Sequence, residues 1–273
     1  SDGALAARLA HPSARGGADW RVAEAAGSVV GACVVFHVGT VRTELVLAVN
    51  PAFRRQGIGR ALLAEAPADR RLLCRSRESV PAATALLTSA GFLERYRSVL
   101  LRREAQGVGR MDPGDDARVL EDPRADARRA IVALSAAVGD DVDDDRAAMK
   151  ARLARPRCRA LYLELPGPDG KAMDAGVCIV GPCERARKGE RTASGDPIVG
   201  VIEDVGLMRS QRGQGRSRAL VRAGMRAIQD AGFRLIEASA DKRRTAAVEL
   251  YLKEGFEIVD EDVHWMRREP GAG

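Results

Sequence analysis

The chain has 273 residues, 45% hydrophobic and 30% charged, with 44 Lys and Arg against 38 Asp and Glu for a net charge of +6. That balance is globular, suffices for two hydrophobic cores, and contains no apolar run of about 18 residues that would span a bilayer. Aromatics are only 4% and the arginines are scattered among acids, which argues against a nucleic-acid surface with its stacking platforms and clustered cations.

In chain order, Trp20 to Ala26 and Ser28 to Val38 read as two strands joined at Gly27, and Glu44 to Val49 as a third. A basic, glycine-containing turn follows, then a short helix that Pro67 interrupts. Arg71 to Cys74 reads as a strand, Pro81 to Ser89 as a helix, and Gly91-Phe92 opens a pair of strands ending at Leu101-Arg102-Arg103-Glu104. Ala105 to Asp116 is a linker by composition. Beyond it, Pro123 to Val138 and Asp144 to Ala154 read as helices, Cys158 to Leu165, Asp174 to Val180 and Ile198 to Leu207 as strands, and Gly181 to Pro197 as a polar excursion. A second basic turn precedes a helix over Ser217 to Ala231, a strand over Phe233 to Ser239 and a helix over Thr245 to Glu254. Gly255-Phe256 then opens a last pair of strands ending at Met266-Arg267-Arg268-Glu269.

The order repeats, and the motifs repeat with it. Arg54-Arg55-Gln56-Gly57-Ile58-Gly59 and Arg212-Gly213-Gln214-Gly215-Arg216-Ser217 each follow an apolar strand end and precede an amphipathic helix. Such a turn points several backbone N–H groups and the positive helix end at one spot, where a diphosphate is stabilised. A duplicated domain is expected, divided into residues 1–106 and 107–273.

These residues resemble the GCN5-related N-acetyltransferase (GNAT) family, with two such domains in tandem. The two turns carry the resemblance together with the strand Ile202-Glu203-Asp204-Val205-Gly206-Leu207 and the segment Ala247 to Phe256. It implies an α/β fold in which each half is a mixed, twisted sheet flanked by helices, with acetyl-CoA as cosubstrate in a V-shaped gap where two central parallel strands splay apart. Of the second half it implies that backbone groups from Val205 through Leu207 to Met208 pair with pantetheine. The N–H groups of Arg212, Gly213, Gln214, Gly215, Arg216 and Ser217 would hold the pyrophosphate, with Arg212 and Arg216 adding charge. In the first half Val49, Arg54, Arg55, Gln56, Gly57, Ile58, Gly59 and Arg60 occupy the same places.

Tyr251 stands at the family's tyrosine position, which implies the acid that protonates the leaving thiolate. An amine acceptor also needs a base, with Glu203 the first candidate and Glu237 the second. Strict alternation along the strand would put Glu203 on one face with Val205 and Leu207, and Asp204 on the other with Gly206. Aligning Gly91-Phe92 with Gly255-Phe256 puts Leu87 in the tyrosine's place, so the first half reads as a degenerate GNAT domain that supports the second. The layout resembles that of mycothiol synthases, but no residue signature carries their substrate over.

The expected reaction is direct acetyl transfer through a tetrahedral intermediate to a primary amine of a small molecule. Five aspartates within Gly139 to Asp145 would attract a cationic acceptor, and the same residues also suit a solvated, helix-capping loop. Two alternatives stand beside this: a non-catalytic acyl-CoA-binding sensor or scaffold, and an acetyltransferase acting on protein lysines or N-termini. Neither nucleic acid, membrane nor metal is expected as a partner, and homo-oligomerisation is left open. Five cysteines, an odd number without a C-x-x-C pair, read as reduced core thiols, and no secretory leader is visible, so a cytoplasmic location is expected.

Overall fold

The computed structural model describes residues 19–38, 42–67, 71–114, 116–122, 126–138, 146–167, 169–183 and 188–267. Packing divides the chain into two compact units that are not contiguous in sequence. The first unit comprises Ser1–Leu100, Ala240–Thr245 and Ile258–Gly273, and the second comprises Leu101–Ser239 and Ala246–Glu257.

The first unit holds β1 (Asp19–Ala25), β2 (Ser28–Val38), β3 (Arg42–Val49) and β4 (Leu72–Arg77), with α1 (Ile58–Ala64) and α2 (Pro81–Ser89). Gly27, at φ +76°, makes the tight β1–β2 reversal that the sequence predicts. The short α1 ends ahead of Pro67. Alternate apolar residues of β2, β3 and β4 meet Leu62, Leu63 and Leu87 from the helices in one core with Phe92, Val263 and Trp265. Those last two come from the far end of the chain. Strand β11 (Glu257–Arg267) pairs antiparallel with β4 from Asp262↔Arg77 to Arg267↔Leu72, and the Trp265 indole donates to Ser76 Oγ at 2.9 Å.

In the second unit the numbering continues with β6 (Arg118–Glu121), α3 (Ala127–Val138), α4 (Arg146–Leu153), β7 (Arg159–Pro166), β8 (Ala172–Pro182), β9 (Val199–Leu207), α5 (Arg216–Asp230), β10 (Leu235–Asp241) and α6 (Thr245–Lys253). Its strands β9, β8, β7 and β6 are successive neighbours, with β10 beyond β9. Residues Ala130, Ile131 and Leu134 of α3 and Met149 and Leu153 of α4 pack on Tyr162, Val177 and Ile179 to form one core. On α5 the buried set Ala219, Leu220, Val221, Gly224, Met225 and Ile228 recurs at helical spacing.

Each Gly-Phe opens one long strand and not the expected pair: β5 runs without a break over Leu93–Glu104, and β11 does likewise. Backbone pairing with neighbours on both sides keeps each of them extended. Strand β5 contributes Leu93–Leu100 to the first unit and Leu101–Glu104 to the second. The sequence reading omits β6, a short edge strand whose pattern has no apolar alternation to betray it. The five cysteines are unpaired thiols. Complete burial pushes the Cys178 thiol up to about 12, which keeps it protonated and unreactive. Among the described residues no helix is long and apolar enough to cross a membrane, and no group of His, Cys, Asp and Glu could hold a metal ion.

Candidate active site in the second half

Strands β9 and β10 are parallel and pair from Val199↔Leu235 to Ile202↔Ala238. Both then run on, to Leu207 and Asp241, without further pairing to each other. The divergence opens an edge of β9 beyond Ile202, where an extended amide-bearing chain can add itself as a strand.

At the mouth of the gap, β9 carries an extra residue. The β8–β9 ladder steps from Ile179↔Asp204 to Val180↔Ile202, leaving Glu203 without a cross-strand partner. This β-bulge breaks the alternation. A Cβ on Gly200 would strike Ile228 of α5, whereas one on Gly206 would strike Ala137 of α3, so even-numbered residues change face between them. The expectation that Glu203 and Asp204 point apart is therefore corrected. Arg152, in the last turn of α4, pairs with both, at 2.5 Å to Asp204. Arg155 adds a second guanidinium to Glu203 at 2.5 Å. Desolvation opposes the charge on Arg152, but the two carboxylates outweigh it and raise its pKa. Glu237, the second base candidate, is buried and pairs with Arg102 at 2.7 Å, whose other terminal nitrogen pairs with Glu190 at 2.7 Å.

The turn after β9 has the geometry that its glycines predict. A 3-10 turn, Arg209–Gln211, leads into Gly213 at φ +79° and Gly215 at φ +76°, and Gly215 caps α5. Left-handed residues at these positions let successive N–H groups converge. Gln214 is exposed and Ser217 half-buried. The arginine side chains, however, are engaged within the protein. Arg212 donates to the carbonyls of Leu207 at 3.0 Å and Ala137 at 2.9 Å, and Arg216 is held by Gln211 and by Asp116 at 2.7 Å. Both side chains therefore brace the turn, Arg212 through carbonyls that leave its charge beside it and Arg216 through a carboxylate. The Met208 N–H closes β9 onto Ala175 at 2.9 Å, so it too is already bonded.

Tyr251 lies in the last turn of α6, buried, edge-on to Phe256 with ring centroids 5.2 Å apart. Burial, with smaller contributions from Cys178 and Asp204, raises its pKa, so the phenol stays protonated and can donate. Cys178 pairs with Val205 across β8–β9. Asp204, one of the lesser contributors, lies on the stretch of β9 that carries the bulge.

In the first half, β2 and β3 pair without interruption from Gly31↔Val49 to Val38↔Arg42. No bulge exists there. Counting back from the equivalent strand ends, Val46 stands where Asp204 does, and Glu203 has no counterpart. Leu87 stands where Tyr251 does, and the backbone agrees: the Phe92 N–H bonds Leu87 O at 3.0 Å as the Phe256 N–H bonds Tyr251 O at 3.1 Å. The turn itself persists, with Arg55 at φ +64° and Gly57 at φ +83°, and with Arg54 Nε donating to Val49 O at 3.2 Å. Gln56 and Arg60 are exposed, and Ile58 is half-buried. A Cβ on Gly59 would stand 2.9 Å from the end of the Leu86 side chain, which would have to shift.

The acidic segment Gly139 to Asp145 lies outside the described residues. Sequence reasoning missed Arg152, Arg155 and Asp116, each an ordinary charged residue until the fold brings it to a partner.

Residues 16–96 match the description "Acetyltransferase (GNAT) domain" and residues 169–256 "Acetyltransferase (GNAT) family". The chain is 30% identical over 246 residues to a mycothiol acetyltransferase of Cellulomonas flavigena, covering 86% of this chain and 68% of that protein. It is also 30% identical over 261 residues to one of Frankia casuarinae, covering 90% and 74%. Among solved structures, a tandem GNAT protein from the clavulanic acid biosynthesis pathway superposes with TM-score 0.70 at 20% identity, over 99% of this chain and 87% of that one. A GCN5-related N-acetyltransferase from Sphaerobacter thermophilus does so with TM-score 0.67 at 20% identity, over 90% and 79%. The chain thus belongs to the GNAT acetyltransferase family, carries two of its domains in tandem, and is an acyltransferase.

Proposed function

We propose that the second half transfers an acetyl group from acetyl-CoA to the primary amine of a small molecule, and that the first half has lost this chemistry. The observation that carries the reading is the parting of β9 and β10 after Ile202 and Ala238, with the glycine turn beyond the end of β9 and Tyr251 coupled to the stretch between. Acetyl-CoA supplies the acyl group and a thiolate leaving group. The residues present suit it: the N–H groups around Gly213 and Gly215 suit a diphosphate, and the free edge of β9 suits an amide-bearing arm. Tyr251, protonated at neutral pH, delivers a proton to the departing sulfur.

The amine must lose its proton, and the bulge gathers the carboxylates for this. Both carboxylate oxygens of Glu203 are engaged by guanidiniums, one by Arg152 and one by Arg155, which leaves neither oxygen directed at an acceptor amine. Asp204, with one arginine partner among the described residues and a side chain 39% exposed, is better placed to take the proton, and Glu203 then orders Arg152. Among the described residues, Arg152 and Arg155 stand against Glu203 and Asp204, two cations to two anions. A small amine carrying neutral polar groups suits that balance better than a polycation. The relatives named mycothiol acetyltransferases make a thiol-bearing amino-sugar conjugate one acceptor of this kind to test.

The test is thiol release from acetyl-CoA across amino-sugar conjugates, amino acids, polyamines, aminoglycosides and lysine peptides. Release with one small-molecule class supports the reading and names the substrate. Release with peptides alone overturns the acceptor class, and silence with acetyl-CoA binding intact would favour an acyl-CoA sensor.

A further inference from the structure

We infer that Asp116, on the segment between the two halves, is a positioning residue for the phosphate turn of the second half, acting through Arg216 and Gln211. The inference rests on reading that turn as the seat of the acetyl-CoA diphosphate. Gln211 ends the 3-10 turn before the loop Arg212–Gly215, and Arg216 is the first residue of α5 after it. The Arg216 guanidinium donates to Gln211 Oε1, so the two side chains close the neck of the loop from opposite sides. Its other terminal nitrogen donates to Asp116 Oδ1 at 2.7 Å. The Arg216 side chain is only 10% exposed, and a charge so buried stays in place only with a counter-charge beside it. Asp116 provides that counter-charge.

The first half closes the same neck differently. Phe53 and Ile58 occupy the positions of Gln211 and Arg216, and Ile58 lies against Gly31 of β2, where a Cβ would be 3.0 Å from it. Ile58 packs against the core of the first unit and carries no charge that would need a partner from outside. A polar neck needs an anchor, and the segment preceding Asp116 is laid along α5 from its end to its start. The Ala105 N–H bonds Arg234 O at 2.9 Å, and the Val108 N–H bonds Gln229 Oε1 at 3.4 Å. Met111 Cε lies 3.8 Å from where a Gly215 Cβ would be. A turn closed by Ala117 N–H to Gly114 O then presents Asp116. Without Asp116 the guanidinium leaves the neck, the loop loosens, and its N–H groups no longer converge on one anion.

The experiment is calorimetric titration of the full chain with Gly57→Asp silencing the first turn, comparing acetyl-CoA with S-acetylpantetheine, which lacks the diphosphate. Asp116→Ala is expected to weaken acetyl-CoA about tenfold, the scale of one hydrogen bond to a charged group, and to leave S-acetylpantetheine unchanged. Adding Gln211→Phe and Arg216→Ile, the neck of the first half, is expected to restore acetyl-CoA binding without Asp116. Unchanged or tighter acetyl-CoA binding in Asp116→Ala overturns the proposal, as does an equal loss for both probes, which would mark a general loosening of the fold. If the Gly57→Asp chain with Asp116 intact fails to bind acetyl-CoA, the reading of the second turn falls, and the role of Asp116 falls with it.

Discussion

The two halves keep the same glycine turn and differ in nearly everything beside it. Each has a 3-10 turn, two residues at positive φ and an arginine bonded back to the strand-end carbonyl, at 3.2 Å in the first half and 3.0 Å in the second. The bulge, the paired carboxylates and the tyrosine occur only in the second. The difference separates two kinds of function. Binding by backbone N–H groups needs a conformation, which many sequences satisfy. Proton transfer needs a particular side chain aimed at one point, and a strand one residue shorter has neither Glu203 nor the bulge that turns its neighbour toward Arg152.

The strongest way to break the comparison is through Trp265. By sequence it belongs to the second copy, yet its ring is buried in the core of the first unit with Leu72, Leu87 and Phe92. Trp265→Ala should cost about 3–5 kcal/mol, and amide exchange should speed up in β2, β3 and β4 while β7, β8 and β9 keep their protection. Loss confined to β7–β9 would mean that the halves are independent copies after all. Next in size is Tyr251→Phe, which should lower kcat about 10- to 100-fold with acetyl-CoA affinity nearly intact; an unchanged rate would remove Tyr251 from the chemistry. Leu87→Tyr sharpens the contrast. Placed in the Tyr251→Phe chain it should restore no turnover, because the first half has Val46 where the second has Asp204 and nothing at Glu203.

How much of this was legible in the sequence depends on the range of the interaction. The turns were, because Gly57 and Gly215 encode a local backbone conformation, and most helices and strands were, because their periodicities are local too. Residues 203 and 204 were legible as carboxylates but not in direction, since the bulge exists only relative to the register of β8. The exchange of β11 into the first unit left no trace, because Val263 and Trp265 are equally good core residues for either half. Arg152, Arg155 and Asp116 were invisible for the same reason: a charged residue becomes a brace only when folding supplies its partner.

The smallest effect tests the turn itself. Arg55 stands at φ +64° where the second half has Gly213 at φ +79°. A side chain in the left-handed region costs about 1–2 kcal/mol, whereas a glycine there costs about 0.5–1 kcal/mol through the added freedom of its unfolded chain. The steric term is the larger, so Arg55→Gly should stabilise the first unit by roughly 0.5 kcal/mol, and Gly213→Arg should destabilise the second by a similar amount. Denaturant titration with exchange resolved by unit reads both signs. Opposite shifts of like size would show that the two turns share one backbone requirement and differ only in which residue meets it. Destabilisation by both substitutions would instead mean that the Arg55 side chain contributes contacts worth more than its strain, and that the first turn is held by its side chains as well as its backbone.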